Sequence, residues 1–89
     1  MDIIRRHYIF RGDVQGVGFR YRASHAAAYY GVSGYVRNCM DGSVEMEAEG
    51  TAHDIDDMIL SIEKGHYICI EDMEVKTMPV CGEHSFHVR

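Results

Sequence analysis

The chain has 89 residues, 46% of them hydrophobic, and a formal net charge of −5. This describes one small globular domain, 1–89, too short for a second core and too apolar for a disordered chain. No apolar run nears the ~20 residues of a membrane span, and an acidic chain is a poor default partner for nucleic acid. Met1 to Arg6 lacks the apolar core of a signal peptide, so a cytoplasmic protein is expected. Cys39, Cys69 and Cys81 are odd in number, widely spaced and form no C-x-x-C pair. Three reduced thiols are expected, not a zinc or redox site. Charge is uneven along the chain. Residues 1–40 hold six Lys/Arg and two Asp/Glu, whereas residues 41–89 hold three and twelve. The positive half would help to steer a small anion to the glycine-rich stretch within it.

Arg6 to Arg11 is rich in β-formers and reads as a buried strand that ends at Gly12. Gly12-Asp13-Val14-Gln15-Gly16-Val17-Gly18-Phe19-Arg20 follows. Its three glycines let the backbone turn sharply and come close to a ligand. Consecutive amides in such a turn form an anion-binding nest. The loop runs into a helix, whose first amides have no internal partner and sit at the positive end of its dipole. Arg20 adds a fixed charge with a forked donor face. The pattern is neither a P-loop nor a dinucleotide fingerprint, and the bland alternative is a plain strand-to-helix turn. Asp13 would weaken anion binding if it faced the site.

Phe19, Ala23, Ala26, Ala27 and Tyr30 give the helix Phe19–Tyr30 one apolar face, and Gly31 is a good stop. Arg22 and His25 are expected on its solvent side. Gly34 to Asn38 reads as a second strand in which Val36 and Asn38 share a face. A hairpin turn at Cys39-Met40-Asp41-Gly42 follows, with Asp-Gly supplying positive φ angles. In Ser43 to Glu49, Val44, Met46 and Ala48 alternate with Glu45, Glu47 and Glu49, giving one buried and one solvated face. Thr51 caps a second helix whose apolar stripe is Ile55, Met58, Ile59 and Ile62, with Gly65 as its stop. Asp54, Asp56 and Asp57 suit the positive end of its dipole. Ile68 to Lys76 is a fourth strand with Met73 and Val75 pointing inward. Residues 78–84 form a loop, and Ser85 to Arg89 is a short last strand with Phe86 and Val88 inward. The order β-α-β-β-α-β plus a terminal strand predicts an α+β fold, a ferredoxin-like α/β sandwich with an antiparallel sheet and two helices on one face.

Gly12-x-Val14-Gln15-Gly16-Val17-x-Phe19-Arg20 resembles the first signature of the acylphosphatase family. Gly34-Tyr35-Val36-Arg37-Asn38, then Gly42-x-Val44 and Gly50, resembles the second, and Phe86 matches a phenylalanine usual near the C-terminus. Two departures stand out: Phe10 replaces an aliphatic residue, and His66 follows Gly65 where a proline is common. The resemblance implies the same fold and the hydrolysis of acyl phosphates to carboxylate and inorganic phosphate by a monomer. It implies Arg20 as the catalytic arginine and Asn38 as the residue that positions water, with no metal and no organic cofactor. The residues agree with that chemistry. Phosphoryl transfer is mainly positioning and electrostatic stabilisation. The amides of Gln15, Gly16, Val17, Gly18, Phe19 and Arg20, with the Arg20 guanidinium, form the expected phosphate cradle. Two other readings share the fold: a carbamoyl-phosphate-handling domain of a larger maturation protein, and a non-enzymatic anion-binding module.

Overall fold

The computed structural model describes residues 2–89; Met1, the first residue of the expected 1–89 domain, lies outside them. Seven elements follow the predicted order: β1 (Ile3–Asp13), α1 (Phe19–Tyr30), β2 (Ser33–Asn38), β3 (Val44–Thr51), α2 (Ala52–Glu63), β4 (Cys69–Met78) and β5 (Phe86–Val88). The strand order is β4-β1-β3-β2-β5. β1 to β4 pair antiparallel, and β5 lies parallel to β2, which makes the sheet mixed. The first four strands and two helices are the ferredoxin-like sandwich.

Side-chain alternation builds the core. Tyr8 lies opposite Met46, which lies opposite Val36 on the far side of β3. These side chains, with Phe10, Val44 and Ala48, are buried beneath Phe19, Ala23, Ala26 and Ala27 of α1 and Ile55, Met58, Ile59 and Ile62 of α2. Phe10 stacks on Tyr8, ring centroids 5.3 Å apart, and tilts against Phe19 at 4.9 Å. Its aromatic ring thus ties β1 to the first residue of α1.

The helix ends differ in part from expectation. Thr51 caps α2, its Oγ1 accepting the Asp54 amide at 3.1 Å, which satisfies one otherwise unpaired donor. Gly31 follows α1, donating its amide to the Ala27 carbonyl. α2, however, ends with Lys64 as its cap, ahead of Gly65. Gly65 is instead a contact residue: a Cβ there would lie 2.6 Å from Ile68 Cδ1 and 2.7 Å from Arg22 Cδ. Nor does Arg22 face solvent. It is half-buried and donates to the Ser61 carbonyl at 2.8 and 3.3 Å, joining α1 to the last turn of α2.

Three inward assignments are corrected at the sheet edges. Met73 and Val75 pair with Phe10 and Tyr8, so they do lie on the helix face, yet they are 41% and 45% exposed. β4 is an outer strand, beyond the cover of the helices. Val88 on β5 is 50% exposed for the same reason, while Phe86 is half-buried against the core.

The opposite face of the sheet is also not the solvated surface expected of Glu45, Glu47 and Glu49. Arg5, 2% exposed, reaches Glu47 at 2.8 Å, Glu49 at 3.1 Å and Glu83 at 2.8 Å. Glu49, 5% exposed, also accepts the Cys81 and Gly82 amides at 2.7 and 3.0 Å. Tyr35 donates to Glu47, and Glu45 lies between His7 and Arg37. This network fastens the 79–84 loop across the sheet. Burial opposes the Glu49 charge, but the Cys81 amide, Arg5 and the Gly82 amide outweigh it and lower the pKa. A depressed folded pKa contributes stability above the unfolded value, and that stability is lost as pH falls through the folded one. Glu49→Gln should therefore cost about 2 kcal/mol at pH 7, roughly 10 °C in Tm. It should also flatten the fall in Tm between about pH 5 and pH 3. Thermal melts across that range check this; a wild-type slope in the variant would contradict it.

Candidate active site

The register places the predicted residues. Phe10, Val44 and Asn38 form one row across β1, β3 and β2. Asn38 therefore shares the helix-bearing face with Phe10 and Val44 and lies at the end of the sheet from which β1 leaves. The chain must cross the end of β3 there to reach the start of α1. Arg20, the second residue of α1, is consequently at the same end and on the same side as Asn38.

How the chain makes that crossing is set by glycines. Gly12 sits at a register shift in β1, with φ of 125°. A Cβ there would collide with the Cys69 carbonyl oxygen and lie 2.8 Å from the Glu71 nitrogen. Asp13 continues the pairing, opposite Cys69, and is exposed with no charged partner among the described residues.

Val14 and Phe19, both buried, anchor the loop at its two ends. Between them Gly16 and Gly18 take positive φ of 72° and 82°, whereas no non-glycine residue does. Alternating handedness turns successive amides toward one side. Among the described residues, no backbone carbonyl accepts the amides of Gln15, Gly16, Val17 or Gly18. Nor does a side chain cap α1. The space beside Gly16 and Gly18 is open, with no atom within 4 Å of a built Cβ. The loop is a shallow cradle, not a deep pocket; a cavity of about 470 Å³ lies elsewhere, along Tyr21, His25, Tyr29 and Ser61.

The individual residues of the stretch divide by side chain and main chain. Phe19 offers only its amide, since its ring is in the core. Val17 is half-buried against the core. Gln15 turns its side chain the other way, donating to the Cys39 carbonyl at 2.7 Å and the Ser43 carbonyl at 2.8 Å. Arg20 is exposed and donates from Nη1 to the backbone oxygen of Arg89 at 3.0 Å. The parallel pairing of β5 with β2 brings Arg89 there, its own amide bonded to the Val36 carbonyl. Neither the Gln15 nor the Arg89 contact carries a signal in sequence, because each joins residues at least 24 positions apart.

The turn after Asn38 also departs from the expected Asp-Gly geometry. Only Gly42 has positive φ, 91°. Asp41 instead accepts the Ser43 hydroxyl and amide at 2.6 and 3.0 Å, which lowers its pKa. Cys39 accepts the Gly42 amide and donates to the Ser43 carbonyl.

The positive half of the sequence does not become a positive surface. Arg5 is enclosed by glutamates, Arg6 pairs with Asp56, Arg11 with Asp72 and Glu74, and Arg37 with Glu45. Among the described residues Arg20 has no Asp or Glu partner. The cradle thus relies on its amides and one arginine instead of a broad field. Among the described residues, no helix is long and apolar enough to cross a membrane.

A family model described as Acylphosphatase matches residues 6–88. An acylphosphatase of Bifidobacterium longum is 38% identical over 91 residues, spanning 99% of this chain and 94% of its own. The crystal structure of acylphosphatase from Bacillus subtilis superposes with a TM-score of 0.89 at 31% identity, covering 97% and 98% of the two chains. Full-length HypF, in a phosphate- and nucleotide-bound form, matches with a TM-score of 0.86 at 27% identity, over 99% of this chain but 12% of HypF. With two intact signatures, the fold and these matches in agreement, the chain belongs to the acylphosphatase family.

Proposed function

We propose that this chain, acting as one domain, hydrolyses acyl phosphates by direct attack of water on phosphorus. The observation that carries the reading is the meeting of three groups at one end of the sheet: unpartnered amides of residues 15–18, Arg20 and Asn38. The amides from Gln15 to Arg20 and the Arg20 guanidinium hold the phosphoryl oxygens as charge moves over them. The Asn38 side-chain amide orients a water in line with the bond that breaks. A new P–O bond forms from that water as the bond to the acyl oxygen breaks. The carboxylate leaves with the electron pair, and both water protons stay with the inorganic phosphate. The leaving group is good enough that no strong general base is needed.

Each role is taken by a group of the chain, so turnover of benzoyl phosphate should persist in EDTA. Loss of activity restored by a divalent ion would overturn that. Inorganic phosphate should inhibit competitively, since it fits the same cradle. Asn38→Ala should lower kcat by roughly 10²-fold with little change in the inhibition constant of phosphate, because Asn38 orients water and does not hold the phosphoryl group. Steady-state kinetics with phosphate inhibition check this; wild-type kcat in Asn38→Ala would remove its role.

A second reading, raised by the resemblance read from the sequence, takes carbamoyl phosphate as the substrate. The ratio of kcat/KM for carbamoyl phosphate and benzoyl phosphate decides between them.

A further inference from the structure

We infer that the side chain of Gln15 is a positioning residue that sets Asn38 against the phosphate cradle; the inference rests on the hydrolytic reading above. Gln15 is in both halves of the site. Its main chain begins the cradle, and its side chain closes on the turn that follows Asn38. A carboxamide has two N–H donors. Here both are used, toward the Cys39 carbonyl at 2.7 Å and the Ser43 carbonyl at 2.8 Å. Both neighbours are acceptors, which determines which end of the amide faces them.

The partners are well placed to hold Asn38. Cys39 is its chain neighbour. Ser43 is buried and accepts the Cys39 amide at 2.8 Å, so its carbonyl serves the turn and Gln15 together. Among the described residues, the hydrogen bonds between the 14–18 loop and the 39–43 turn are these two. Val14 and Phe19 anchor the loop independently through the core. Removing the Gln15 donors therefore loosens the link between cradle and turn and leaves the cradle seated. A misplacement of ~1 Å in a group that orients a reactant costs on the order of 10²-fold in rate.

The test is a double-mutant cycle on benzoyl phosphate hydrolysis. It uses wild type, Gln15→Met, Asn38→Ala and the double variant, with the phosphate inhibition constant measured for each. Gln15→Met keeps length and loses both donors. It should lower kcat roughly 10- to 100-fold, with KM and phosphate inhibition within about threefold of wild type. In the Asn38→Ala background the same change should cost less than about threefold, because the group it positions is gone. Gln15→Glu, of similar shape but with a carboxylate facing two carbonyls, should lose more than Gln15→Met. It also serves where the methionine variant fails to fold. Full kcat in both Gln15 variants overturns the assignment, as does an equal penalty with and without Asn38, or a loss confined to phosphate affinity. A folded wild type without turnover overturns the hydrolytic reading itself. Activity in wild type with collapse in Arg20→Ala keeps that reading whatever Gln15 does.

Discussion

Arg20→Ala should lower kcat/KM for benzoyl phosphate by roughly 10³-fold, about 4 kcal/mol of transition-state stabilisation. On the proposed mechanism both parameters should move: KM up, as a guanidinium that holds the phosphoryl group in the ground state is lost, and kcat down, as a hold that would strengthen with the shifting charge is lost too. Several features make Arg20 hard to replace. It is the one arginine of the first 40 residues that stands beside the unpartnered loop amides. It has no Asp or Glu partner among the described residues, and the Arg89 backbone oxygen steadies one of its donors. Arg20→Lys keeps charge but loses the fork, so it should recover only part of the activity. Because Arg20 is exposed on the first turn of α1, its removal should leave Tm nearly unchanged. A variant retaining wild-type kcat/KM would show that the amides suffice alone.

Arg5→Ala should produce the largest loss of stability, about 3–5 kcal/mol, which in a domain of this size is roughly 15 °C or more in Tm. Burial works against the Arg5 charge, yet the hydrogen bonds it donates to Glu47, Glu83 and Glu49 more than offset it, and its pKa rises further above the usual arginine range. It is therefore charged at every accessible pH. Without it three carboxylates face one another on a largely covered surface, an uncompensated charge that costs more than the intact network contributes. That gives the deficit a signature. It should shrink as pH falls and the carboxylates take protons, whereas loss of a plain packing contact would not change with pH. Thermal melts of both proteins from about pH 7 to pH 4 read the difference. A variant melting within a few degrees of wild type would refute the role. The same network holds Cys81 and Gly82, upstream of the strand that carries Arg89 to Arg20. Activity and phosphate affinity should therefore both fall in Arg5→Ala even while the protein remains folded, because the disturbance reaches the site through Arg20.

Much of the architecture was legible because it depends on local pattern. Helical spacing identified the buried faces of α1 and α2, except that Tyr30 of α1 is only half-buried. Period-two alternation put Val36 and Asn38 on one face, and that face proved to be the one bearing the loop and α1. The glycine spacing marked the cradle, and the two signatures marked Arg20 and Asn38 as its candidates. Where expectation failed, the missing information was non-local. Alternation tells which side of a sheet Met73 and Val75 occupy, but not whether a helix reaches over an outer strand. Glu45, Glu47 and Glu49 read as solvated because their partners lie on other strands and on the 79–84 loop, with Arg5 up to 78 positions from the glutamate it meets. The excess of arginine in residues 1–40 read as a steering field, and tertiary pairing cancelled most of it.

By itself, then, the sequence determined the elements, their faces and the chemical kinds of group in the candidate site, since backbone preference and side-chain period act over a few residues. Only the tertiary structure decided which charges meet, which apolar faces are covered, and that Gln15 looks away from the cradle toward the turn after Asn38. Those outcomes follow from strand register and loop path, which bring together groups that no local rule connects.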